Sequence, residues 1–184
     1  MKGIVFAEFV EFVERDLPDA AGCVAGRRYR HDEHPPDDEL LALVDATAAA
    51  AGTSAADVLR RFGVHLFGAF ANLYPVFLTG EDSALSLLVR IDSHVHDEVR
   101  KLYPDAAFPR FEVSHPAAGT LELVYGSPRP LADLADGMIR GCIAHFGEPI
   151  DVRREDLGAG DGRAARFTLT AHSSQRRRRR GSGS

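Results

Sequence analysis

Apolar residues recur along this chain in two different periods. In the first hundred residues they return every three or four positions, which predicts helices. Val5, Phe6, Phe9, Val10, Phe12 and Val13 give a first helix with a broad apolar face, stopping before Pro18. A short helical segment over 20–27 and a polar loop, YRHDEHPPDD, follow. The next helix opens at Asp37 and Asp38 and ends at Gly52. Ser54, with Asp57 three residues on, reads as the N-cap of a long helix to about Tyr74. The stretch Ser83–Tyr103 reads as one further amphipathic helix, with Leu85, Leu88, Val89, Asp92, His96, Val99 and Tyr103 on one stripe.

Beyond Pro104 the period falls to two. Residues 108–115 and 120–125 alternate around PAAG as a hairpin, and 150–157 and 164–172 form a second hairpin around GAGDG. Between them, Leu134, Met138, Cys142 and His145 mark a helix over 131–146. The expected class is α+β, a helical N-terminal half packed on a C-terminal half of antiparallel hairpins with an inserted helix. One domain over 1–172 accounts for all of these elements.

Composition narrows the function. A 45% hydrophobic content in 184 residues requires a folded core. The net charge is −5, and five positive charges are the run Arg176 to Arg180, so the remainder stands at −10. An acidic body excludes nucleic-acid binding as the main activity. Residues 173–184 read as a disordered Arg-rich tail. No signal peptide and no membrane-length apolar run occurs, so a soluble, cytoplasmic protein without membrane insertion is expected. Cys23 and Cys142 are far apart and lack metal-ligand spacing, so both read as ordinary thiols. His31 and His34, beside Pro35 and Pro36, read as solvated.

Two features carry chemistry. His96 lies on the apolar stripe while His94 falls on the polar side. Tyr125-Gly126-Ser127-Pro128-Arg129 places two hydroxyls and a guanidinium at alternate positions, a donor set suited to carboxylates. A lone histidine on such a face is most often a core residue, and the second pattern alone is weak. Together they suggest one ligand that offers an iron and two carboxylates, which is haem.

With these residues the chain resembles the H-NOX domains, haem-containing sensors of nitric oxide or oxygen related to the haem domain of soluble guanylate cyclase. The resemblance spans about residues 1–172 and rests on MKGIVFAEF, on His96 followed by Tyr103 and Pro104, on Pro109-Arg110-Phe111, and on a complete YxSxR pattern at Tyr125, Ser127 and Arg129. It implies that His96 ligates the iron of haem b (iron protoporphyrin IX) lying between the two halves. Tyr125, Ser127 and Arg129 would hold the propionates, and Pro109 would press on the porphyrin. Val5, Phe9, Leu66, Phe70, Leu134 and Met138 would line the side facing the gas. Oxygen-binding members place a tyrosine where this chain has Leu134, and no tyrosine follows Arg129. A non-enzymatic sensor of nitric oxide and carbon monoxide that refuses oxygen is therefore expected. In the family's logic nitric oxide weakens the iron–His96 bond, releases its helix and shifts the two halves. A separate signalling protein, such as a histidine kinase or a cyclic-di-GMP enzyme, would read the shift. The alternatives are an oxygen-binding member, a peroxidase-like haem enzyme, and a non-haem interaction domain in which His96 is only core.

Overall fold

The computed structural model describes residues 2–91 and 109–172. Helix α1 (Gly3–Asp16) buries Phe6, Phe9, Phe12 and Val13, and Leu17 caps it immediately before Pro18. Where the sequence suggested a helix over 20–27, the chain makes a 3-10 turn at Pro18–Cys23. Proline presets its first φ, and Gly22 contributes little to helix propagation. Helix α2 (Asp37–Ala51) ends at Gly52, whose φ of 64° is the left-handed conformation that lets its N–H close the last turn.

Helix α3 (Ala55–Leu73) opens on Ser54, whose Oγ accepts from the Asp57 N–H at 3.1 Å. Ser54→Ala is expected to cost about 1 kcal/mol, read as a lower denaturation midpoint with an unchanged denaturant slope. A 3-10 turn at Pro75–Leu78, which periodicity did not suggest, then leads to α4 (Ala84–Val89). Of the helix expected over Ser83–Tyr103, the first piece is α4, which ends at Val89 with Arg90 as its C-cap. Residues 92–108, His96 among them, lie outside the described residues, as does the tail 173–184.

The two hairpins are β1 (Arg110–Ala117) with β2 (Thr120–Gly126), and β3 (Ile150–Asp156) with β4 (Ala164–Ala171). They join through antiparallel pairing of β2 with β4 into one four-stranded sheet of order β1-β2-β4-β3. Alternation along β2 and β4 puts Leu121, Leu123, Tyr125, Phe167 and Leu169 on the covered face.

Helix α5 (Ala132–Phe146) serves both halves. Leu134 and Met138, four apart, join the core formed by α1, α2 and α3, while Ala135, Ile139 and Cys142 join the core on the sheet. α3 meets α5 backbone to backbone, with Gly63 against Gly137 and Gly141 against Phe67 and Val64. An ionic chain crosses the same junction. Arg60 of α3 reaches Asp133 at 3.3 Å, and Asp133 bonds Arg154 of β3 at 2.6 Å. These elements form the expected α+β arrangement, helical half and sheet half meeting at α5.

Candidate functional site, a haem cradle

The register of the first hairpin builds one wall of the site. Phe111 pairs with Tyr125 and Arg110 with Gly126, so Pro109 stands at the same end of the hairpin as Ser127. Tyr125 is buried, its ring edge-on to Phe111 at 5.4 Å. The Ser127 side chain and the Arg129 guanidinium both act on its hydroxyl electrostatically. Burial pushes the Tyr125 phenol above its ordinary value, against the pull of Ser127 and Arg129. The phenol thus stays protonated at neutral pH and keeps its O–H.

Past the strand the backbone turns tightly. Ser127 Oγ accepts from the Arg129 N–H at 3.1 Å, and the Ser127 N–H donates to the Arg163 carbonyl at 2.9 Å. Two hydroxyls and a guanidinium are therefore gathered at the hairpin mouth, as the alternate spacing suggested. Their chemistry fits the carboxylates of a haem: a cation that neutralises, with hydroxyls that donate.

The six residues expected to face a gas come from three helices and meet in one cluster. Phe9, Leu66 and Leu134 are buried in it, and Val5, Phe70 and Met138 pack against it half-buried. An edge-to-face contact between Phe9 and Phe62, 5.0 Å between ring centres, ties α1 to α3 there.

Sequence left His65 and His145 as possible polar donors near this cluster. His65 Nε2 lies 3.0 Å from Glu8 Oε2, and Arg15 Nη2 lies 2.8 Å from its Nδ1. A guanidinium only donates, so Nδ1 is the acceptor and Nε2–H donates to Glu8. Both ring nitrogens are engaged between α1 and α3. His145 is exposed, its ring edge-on to Phe67 and Phe146. Periodicity placed His65 off the apolar line but gave no hint of Glu8, which lies 57 residues away in sequence. His31 and His34 are exposed, as expected, and His34 touches Lys2 Nζ.

The Haem-NO-binding family model matches residues 2–154. The chain belongs to the H-NOX family. An H-NOX protein from K. algicida, solved in the unliganded Fe(II) state, is 27% identical with a TM-score of 0.85, covering 95% of this chain and 98% of that one. A point mutant of it is 28% identical at a TM-score of 0.84, with the same coverage of both chains. The fold also matches an H-NOX protein from S. oneidensis in the Fe(II)NO state, at 23% identity and a TM-score of 0.84, over 94% of this chain and 99% of that one. No curated protein matches the chain. This H-NOX domain is thus a member of a family of haem-binding gas sensors, and among its described residues no helix is long and apolar enough to cross a membrane.

Proposed function

We propose that this H-NOX domain is a cytoplasmic, non-enzymatic sensor of nitric oxide and carbon monoxide that discriminates against oxygen and signals to a separate protein. Bound haem b would supply a ferrous iron able to take a diatomic gas. His96 would provide the imidazole for that iron, Tyr125, Ser127 and Arg129 would donate to the propionates, and Pro109 would pack on the porphyrin. Val5, Phe9, Leu66, Phe70, Leu134 and Met138 keep water and polar donors from the gas.

The observation that carries the gas preference is this apolar cluster, together with the engagement of both His65 nitrogens by Glu8 and Arg15. Bound oxygen becomes a polar acceptor, and a hydrogen bond to it in a dry site is worth about 1.5–3 kcal/mol, or roughly tenfold to over a hundredfold in affinity. Nitric oxide needs no such help. Peroxide chemistry would need a free distal acid and base, and His65, the imidazole nearest this cluster among the described residues, is engaged by Glu8 and Arg15.

The direct test is the visible spectrum of the reduced protein. It is expected to stay unchanged in air and to change on adding nitric oxide or carbon monoxide. A stable oxygen complex would overturn the selectivity, and peroxide turnover at enzymatic rates would overturn the sensor reading. Leu134→Tyr is expected to raise oxygen affinity by about tenfold or more, read as the appearance of an oxygen complex when the reduced variant is titrated with oxygen.

A further inference from the structure

Where α3 and α5 touch at Gly63 and Gly137, backbone meets backbone and no side chain interlocks the two helices. Arg60 precedes Gly63 by three residues and Asp133 precedes Gly137 by four, so both stand about one turn from that contact. On their side the junction is open. A cleft of about 730 Å³ lies there, walled by Leu41, Val44 and Leu59 from the helical half and by Pro130, Arg154 and Gly162 from the other.

Five charges of alternating sign cross this cleft. Arg60 Nη1 meets Asp57 at 3.1 Å, and its Nε donates to Asp133 Oδ1 at 3.3 Å. Arg154 Nη1 donates to the same Asp133 oxygen at 2.6 Å, and its Nη2 meets Asp156 at 2.6 Å. The longest of these links is the one between the halves. It is also the wettest, because the Arg60 side chain is 40% exposed against 19% for Asp133 and 17% for Arg154. Water and salt therefore loosen the chain at Arg60 first, leaving Asp133 with Arg154 and the sheet. Asp133 is followed by Leu134, which belongs to the apolar cluster and whose carbonyl backs onto α3 at Gly63. The Ala132 N–H, just before, donates to the Gly162 carbonyl at 2.9 Å. The first turn of α5 is thus fixed to the sheet half by two bonds and to the helical half through Arg60.

We propose that Arg60 and Asp133 form a latch between the two halves. Closed, it holds the first turn of α5 against α3 and keeps Leu134 in the apolar cluster. Open, it lets the helices rock about the glycine contact, which widens the cleft and draws Leu134 away from Phe9 and Leu66. The consequence for gas binding rests on the haem reading above, whereas the latch itself does not.

The test is a distance across the cleft, measured between spin labels at Ala49 of α2 and Arg153 of β3, both exposed, in the full chain carrying Cys23→Ser. Arg60→Ala is expected to lengthen it by about 2 Å or more, and Arg60→Glu, which sets a carboxylate against Asp133, by a larger amount. Arg140→Ala is the control, because it removes an ion pair with Asp136 at 2.8 Å that lies wholly within α5. It is expected to keep the wild-type distance. With haem, Arg60→Ala is expected to change the carbon monoxide dissociation constant by about threefold or more, and Arg140→Ala to leave it in place. An unchanged distance in both Arg60 variants, or an equal lengthening in Arg140→Ala, would overturn the latch. A longer distance with unchanged carbon monoxide affinity would overturn its coupling to Leu134. Should Arg60→Glu not fold, Arg60→Ala carries the decision, since it truncates a half-exposed side chain. A wild type that takes up no haem would refute the haem reading, and the distance measurement would still decide the latch.

Discussion

Gly137→Ala is expected to lower the thermal midpoint by about 10 °C, from a loss of about 3 kcal/mol, with scanning calorimetry as the measurement. A Cβ at Gly137 would lie 2.1 Å from the Arg60 carbonyl oxygen and 2.9 Å from the Gly63 Cα. At Gly63 it would lie 2.4 Å from the Leu134 carbonyl oxygen and 2.8 Å from the Gly137 Cα. These neighbours are backbone, so no side chain can swing aside, and the helices themselves must separate. α5 is also held from behind, since Ala135 and Ile139 pack into the sheet core. Moving α5 off α3 therefore compresses one core or opens the other. Gly68, on α3, is the internal control. Among the described residues nothing lies within 4 Å of a Cβ there. Gly68→Ala is expected to be neutral or to stabilise by about 0.5–1 kcal/mol, because alanine restricts the unfolded chain without strain. A large loss at Gly68, or none at Gly137, would contradict the crossing as described.

Features whose cause is local were legible in the sequence. Pro18 ends α1, Gly52 supplies a positive φ, Ser54 caps α3, and strict alternation marks β2 and β4. Each depends on a few adjacent residues. The end of α4 was not legible, because Leu85, Leu88 and Val89 continue the helical period into 92–103 and no glycine or proline interrupts it. Its described boundary coincides with the pairing of Arg90 to Glu81, a contact that periodicity does not register. The Glu8–His65–Arg15 cluster was invisible for a similar reason: it joins helices 57 residues apart with no local signature. The six apolar positions stand between these cases. Periodicity showed that they face inward, but not that α1, α3 and α5 bring them into one hydrophobic cluster. YxSxR was legible because its chemistry and its spacing lie in one segment, and the turn after β2 keeps the three residues together.

His96→Gly is expected to abolish stable haem binding, seen as loss of the Soret band after gel filtration, and added imidazole is expected to restore it. The argument separates two kinds of hold on one ligand. On the proposed reading Tyr125, Ser127 and Arg129 would grip carboxylates through donors that the substitution leaves untouched, so the cradle would persist. What would be removed is the bond to iron, and free imidazole could take the place of the missing side chain. Rescue by imidazole therefore distinguishes a lost ligand from a lost fold, because a collapsed site would not respond. His94→Gly, two residues away on the polar side of the periodicity, is expected to retain haem with an unchanged spectrum. If His96→Gly kept a normal spectrum, another imidazole would have to serve. Of the two histidines on the helices around the apolar cluster, His65 has both nitrogens committed to Glu8 and Arg15, and His145 is exposed at the end of α5. Taking His65 as the ligand would require breaking its hydrogen bond to Glu8, leaving a largely buried carboxylate without that donor at a cost of about 1–3 kcal/mol. A normal spectrum in His96→Gly would accordingly be followed by His65→Gln, and only loss of haem there would move the iron to the α1–α3 side.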